Sequence, residues 1–173
     1  MRQRTLVLDI AEQTRRALWE VRNVMDCVPQ ALWSRPYCGM PVWKHIYHML
    51  HSLDRWFANP RDPAYQEPPF HTPGLNDLDT PPQGSLSRET LTAYLTQVGE
   101  RTMAYLEELD DAALEERPQG CEFTRMTLIL GQHRHLSTHM GMLMGFIIAE
   151  TGRWPRVLGL ERPMPQGTYD RFF

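Results

Sequence analysis

The chain has 173 residues, of which 42% are hydrophobic and 23% charged, and this composition is that of an ordinary globular protein. The formal net charge is −3, so no strongly basic surface for nucleic acid or an anionic membrane is expected. The apolar runs are too short to span a bilayer and no signal peptide is evident, so we expect a cytoplasmic protein. Three widely spaced cysteines without a CxxC motif argue against a disulfide framework and a thiolate zinc site.

Four segments carry apolar residues at helical spacing. Pro41 precedes the second segment, where a first helical turn tolerates proline, Ser87 is a good N-cap for the third, and Gly152 ends the fourth. The predicted helices cover residues 5–27, 42–58, 87–109 and 124–151.

The connection between the second and third helices, residues 59–86, is long and rich in proline and aspartate. A connection of this length is unusual inside a compact domain unless it crosses the length of a bundle. No segment alternates strongly enough to predict a sheet, and the tail 154–173 is again rich in proline. The sequence therefore predicts an all-α protein, a four-helix bundle with a long Pro-rich crossover loop between helices 2 and 3, forming one domain over residues 1–173.

The fourth predicted helix contains three of the seven histidines of the chain. His135 and His139 lie one turn apart on its apolar face, and this i, i+4 spacing lets two imidazoles reach one metal ion. No glutamate lies between them, so the metalloprotease motif with its general base is absent. Two buried rings hydrogen-bonded to carbonyls or water are the alternative interpretation. His133 lies off the apolar face and is interpreted as a surface or interface residue.

A third ligand has to come from another helix, and the second predicted helix offers His45, His48 and His51. All three lie away from its main apolar stripe, so spacing alone does not choose among them. His71 in the long loop is a further candidate. Asp54 and His71 are weak candidates for a general base, and a solvated or helix-bridging carboxylate is the simpler interpretation of Asp54.

Three stretches resemble the DinB/YfiT superfamily of metal-binding four-helix bundles. They are PVWKHIYHMLHSLDRWF at 41–57, RHLSTHMGML at 134–143, and the Pro-rich loop that ends in PPFH at 68–71. The resemblance implies a metal-binding triad of His48, His135 and His139, with Gly141 as a close-packing glycine. His45 and His51 depart from the family pattern and leave the identity of the first ligand open.

The resemblance also implies a divalent ion, zinc or nickel, and a homodimer. Three imidazoles leave a coordination position open, which is the pattern of catalytic sites. We therefore expect a metal-dependent enzyme acting on a small molecule, either a thiol S-transferase that uses a small-molecule thiol, as some family members do, or a hydrolase. The alternatives are a non-catalytic metal-binding or stress-response protein, and a dimeric helical module without metal.

Overall fold

The computed structural model describes residues 3–173 and contains four long helices. They are α1 (Thr5–Cys27), α2 (Val42–Trp56), α3 (Arg88–Glu108) and α4 (Arg125–Thr151). Two residue pairs before α2, β1 (Pro36–Tyr37) and β2 (Met40–Pro41), form a small antiparallel hairpin that the sequence did not predict. Short 3₁₀ turns at Gln30–Leu32 and Ala113–Glu115 complete the regular structure among the described residues.

The helix ends follow from the residues that flank them. The Ser87 and Thr124 side chains accept hydrogen bonds from the backbone N–H groups of Thr90 and Thr127, and so cap α3 and α4. Gly152 ends α4 in the left-handed conformation with φ +68°, which glycine adopts without steric cost. The second helix is two residues shorter than predicted and ends at Trp56.

The four helices pack as a bundle in the order α1–α3–α2–α4 around a common apolar core. His48 of α2 meets His135 of α4, and Ser52, one turn further along α2, meets the earlier residue Gln132. These two helices therefore run antiparallel. The core takes fully buried side chains from all four helices, including Val21, Trp43, Ile46, Leu50, Leu91, Val98, Ile129 and Leu143. The predicted all-α bundle is confirmed. None of the described helices is long and apolar enough to cross a bilayer.

Residues 57–87 connect α2 to α3 without a helix or strand, as predicted for the crossover loop. This crossover loop lies along α2, and four side chains of α2 form hydrogen bonds with it. Lys44 bonds the carbonyls of Gly74 and Thr80, and His48 bonds the carbonyl of Asn76. Tyr47 bonds the His71 side chain, and His51 bonds the Glu67 side chain. The second helix is consequently buried on nearly its whole circumference, by the bundle on one side and by the loop on the other.

The tail after α4 packs on α1. The buried Asn23 amide donates hydrogen bonds to the carbonyls of Arg156 and Arg171, at 2.9 and 3.0 Å. The Tyr169 ring lies against Trp19, with ring centroids 5.4 Å apart. The tail therefore covers part of the second half of α1.

Candidate metal centre

Three imidazole rings meet where α2 crosses α4. The ring centroids of His48, His135 and His139 lie 4.4–5.1 Å apart, and each ring offers a nitrogen within 4.8 Å of the nitrogens of the other two. Two nitrogens that share one tetrahedral zinc ion, each about 2.1 Å from it, are about 3.4 Å apart, which lies inside this limit. The three side chains can therefore coordinate one cation with small adjustments.

The ring of His48 is oriented by the crossover loop. Its Nδ1 lies 2.6 Å from the backbone carbonyl oxygen of Asn76, and because a carbonyl only accepts, Nδ1 carries the proton. The lone pair is then on Nε2, which lies 3.2 Å from Nε2 of His135. A backbone carbonyl that fixes the tautomer of a histidine in this way is the usual outer partner of a metal ligand.

Burial keeps these imidazoles neutral. It lowers the pKa of His135 to about 4, with a smaller contribution from the neighbouring His48 ring. It also lowers the pKa of His139 to about 4, and the charges of His135, His48 and His45 contribute in the same direction. Burial lowers the pKa of His48 as well, although the hydrogen bond to Asn76 opposes this shift. Neutral imidazole is the form that binds metal, so protons compete with a cation only at acidic pH.

Two buried nitrogens of the cluster, Nδ1 of His135 and Nδ1 of His139, have no hydrogen-bond partner within the part of the chain that the structure describes. Nδ1 of His45, outside the cluster, has none either. Buried polar atoms usually have a partner, and leaving one without a partner costs free energy. No carbonyl among the described residues therefore accepts a hydrogen bond from Nδ1 of His135 or His139.

The other histidines of the two helices lie outside the cluster. His45 is buried, and its Nε2 lies 2.7 Å from the backbone carbonyl oxygen of Tyr37. His51 bonds to Glu67 at 2.7 Å. The Nε2 of His133 lies 2.9 Å from the Thr14 hydroxyl, between α4 and α1 rather than on the outer surface. Of the three histidines of α2, His48 is the one whose ring contacts the α4 pair.

The two side chains considered as general bases are engaged elsewhere. Asp54 accepts hydrogen bonds from Tyr94 at 2.9 Å and Arg101 at 2.7 Å, so it bridges α2 and α3. It lines a cleft of about 380 Å³ whose walls do not include the three clustered histidines. Nδ1 of His71 lies 2.6 Å from the Tyr47 hydroxyl. Neither side chain contacts the His48–His135–His139 cluster.

The expectation for Gly141 is not met. A Cβ atom built on this residue would have no neighbour within 4 Å outside its own helix turn, and the residue is exposed. Gly141 is therefore not a close-packing residue within the described chain.

Sequence reasoning missed the partners that the crossover loop supplies. The carbonyl of Asn76 leaves no sequence signal because every residue has a carbonyl. Glu67 lies four residues before His71 in a segment without helical periodicity. The sequence pattern therefore cannot predict that the Glu67 side chain lies beside His51.

A family model described as the DinB superfamily matches residues 10–143. Neither the comparison with curated proteins nor the comparison with solved structures gave a match. The matched region contains α2, the crossover loop, α3 and the α4 histidines. The chain therefore belongs to the DinB superfamily, a superfamily of metal-binding proteins.

Proposed function

We propose that this protein binds one divalent cation through His48, His135 and His139. We further propose that it is a metal-dependent enzyme that uses this cation to act on a small molecule. The observation that carries the proposal is the convergence of three neutral imidazoles, one of which has its tautomer fixed by a loop carbonyl. Imidazole nitrogens are borderline ligands that suit zinc and nickel. Three protein ligands leave room for a water or a substrate atom, as in catalytic rather than structural sites.

A cation at this site would supply Lewis-acid chemistry, either by acidifying a bound water or by binding a substrate thiolate. The protein itself holds the three rings neutral and excludes bulk water from most of their surface. Hydrolysis requires a proton acceptor, but Asp54 and His71 are bonded elsewhere. A thiol loses its proton more readily than water, since its pKa is about 8.5. Among the two predicted reaction classes, this favours transfer to a small-molecule thiol over hydrolysis.

The metal assignment is tested by plasma mass spectrometry on tag-free protein. His48→Ala and His135→Ala should each lose one ion per chain relative to the wild type. His133→Ala is the matched control, because it removes an imidazole from the same helix outside the cluster and should keep the wild-type metal content. Equal metal content in all four proteins would refute the triad.

The enzymatic assignment is tested on the cobalt-substituted protein. A small thiol should add a charge-transfer band and shift the visible spectrum, and His135→Ala should abolish both changes. A spectrum that millimolar thiol and imidazole leave unchanged would instead support the non-catalytic alternative, a metal-binding or stress-response protein. In that case chelation should cost the protein much of its stability.

Three further properties stay predictions. The chain is predicted to be a single domain over residues 1–173, a homodimer and a cytoplasmic protein. Light scattering on the purified chain tests the homodimer, and a single cooperative unfolding transition by two spectroscopic probes tests the single domain.

A further inference from the structure

A second cluster of ligand-type side chains lies between α2 and the crossover loop, one helical turn beyond His48. It consists of His51, Glu67 and His71, each of which offers an atom within 4.8 Å of the atoms offered by the other two. Nε2 of His51 lies 2.7 Å from Oε2 of Glu67, and Nδ1 of His71 lies 3.9 Å from the same oxygen. None of the three contacts His135 or His139 in the first cluster, so this is a separate group.

The contacts within this second cluster are only partly explained by hydrogen bonding. The His51–Glu67 pair is a hydrogen bond, but 3.9 Å is too long for a bond between His71 and Glu67. The rings of His51 and His71 are stacked, with centroids 5.0 Å apart and an angle of 12° between their planes. Two imidazoles are thus held side by side at one carboxylate oxygen, at separations close to those of ligands around a shared ion.

The burial of the three side chains suits a site that a cation can enter. His51 is 7% exposed and lies on α2, whereas the Glu67 side chain is 44% exposed and opens the cluster to solvent. The His71 side chain is 15% exposed. Two imidazoles and one carboxylate are a donor set that binds zinc in metalloenzymes and non-haem iron in oxygenases.

From this arrangement we propose that His51, Glu67 and His71 form a second divalent-cation site, which joins the crossover loop to α2. Entry of the cation requires Nδ1 of His71 to give up its hydrogen bond with the Tyr47 hydroxyl. The bond between His51 and Glu67 is replaced by coordination of both to the ion, and the Nε2 proton of His51 is released to solvent or moves to Nδ1. This inference does not depend on the proposed function, because the two clusters share no residue.

The competing explanation is that the cluster only fastens the loop through hydrogen bonds, and Glu67→Gln separates the two. Glutamine still accepts a hydrogen bond from His51 through its carbonyl oxygen, so a loop fastener would persist. The carboxylate charge is lost, so a metal site would weaken by at least about tenfold, because even outer-shell substitutions cost this much. Glu122→Gln, at an exposed glutamate outside both clusters, is the matched control.

The experiment is a zinc titration by calorimetry on the full chain, stripped of metal by a chelator, with circular dichroism to verify folding. The wild type and Glu122→Gln should bind two zinc ions per chain. Glu67→Gln and His71→Ala should each retain one site of wild-type affinity, and His135→Ala should retain the other. Two separate losses of this kind would establish both sites.

Two results would overturn the second site. The first is a wild type that binds one zinc ion, lost in His135→Ala and kept in Glu67→Gln. The second is a pair of wild-type sites that both Glu67→Gln and His71→Ala leave unchanged. A single zinc ion lost in Glu67→Gln but kept in His135→Ala would support the second site and refute the first, so the two proposals fail separately.

Discussion

The metal-free protein should lose several kcal/mol of stability between pH 7 and pH 5, because its clustered histidines resist protonation. Burial lowers the pKa of His135 and of His139 from 6.5 to about 4. Between these two values the unfolded chain binds protons that the folded chain does not. Stability therefore rises with pH in this window and falls on acidification.

The magnitude follows from the same pKa values. A histidine with a pKa of 6.5 gains about 2 kcal/mol of protonation free energy when the pH falls from 7 to 5, and one with a pKa of about 4 gains almost none. The two histidines together should cost about 4 kcal/mol, a large part of the about 5–15 kcal/mol typical of a folded domain. The lowered pKa values of His48, His71 and His133 add to this loss, and the raised pKa of Glu20 opposes it.

The assay is urea unfolding in the presence of a chelator at pH 7 and pH 5. His135→Gln and His139→Gln should each lose about 2 kcal/mol less than the wild type over this range, because each removes one group that protonates only on unfolding. Zinc in excess of the chelator should raise stability at pH 7, since a ligand that binds only the folded state stabilises it. If the wild type and both variants showed equal losses between the two pH values, the pKa argument for the cluster would be wrong.

Three further substitutions test structural roles. Asp54→Asn should lower the free energy of unfolding by about 2 kcal/mol, because it weakens the bonds of the buried Asp54 carboxylate to Tyr94 and to the exposed Arg101 of α3, and should leave metal content unchanged. A lower metal content in this variant would restore Asp54 as a site residue. Asn23→Ala should cost about 1–3 kcal/mol and make the tail cleavable by protease after Trp154, whereas a tail that stays protected would contradict its anchoring role. Gly152→Ala should lower stability by about 1–2 kcal/mol in thermal unfolding, and an unchanged midpoint would argue against the left-handed cap.

The parts of this molecule that the sequence predicts well are those determined by local chemistry. The cap at Ser87 and the stop at Gly152 depend on the preferences of single residues, and the structure has the start of α3 and the end of α4 there. The spacing of His135 and His139 is likewise a property of one helix. The family assignment rests on short motifs and the all-α bundle on helical periodicity, which are also local features of the sequence. Both predictions are confirmed.

The parts that sequence reasoning could not resolve depend on the crossover loop. A helical wheel separates a buried face from an exposed one, but α2 has almost no exposed face because the loop covers its outer side. Spacing on α2 therefore does not choose among His45, His48 and His51, and their contacts in three dimensions are what distinguish them. Each of the three turned out to bond a different segment, at Tyr37, Asn76 and Glu67.

The orientation of His48 by a main-chain oxygen has a consequence for how this protein tolerates mutation. The Asn76 side chain takes no part in that contact, so substitutions at this position other than proline should be nearly silent, and an alanine scan would overlook it. The contact is instead sensitive to the path of the backbone. Insertions, deletions or proline substitutions within residues 74–78 should disturb the histidine cluster far more than a change of side chain at Asn76. Related chains would then preserve the length of this segment while its amino acids diverge.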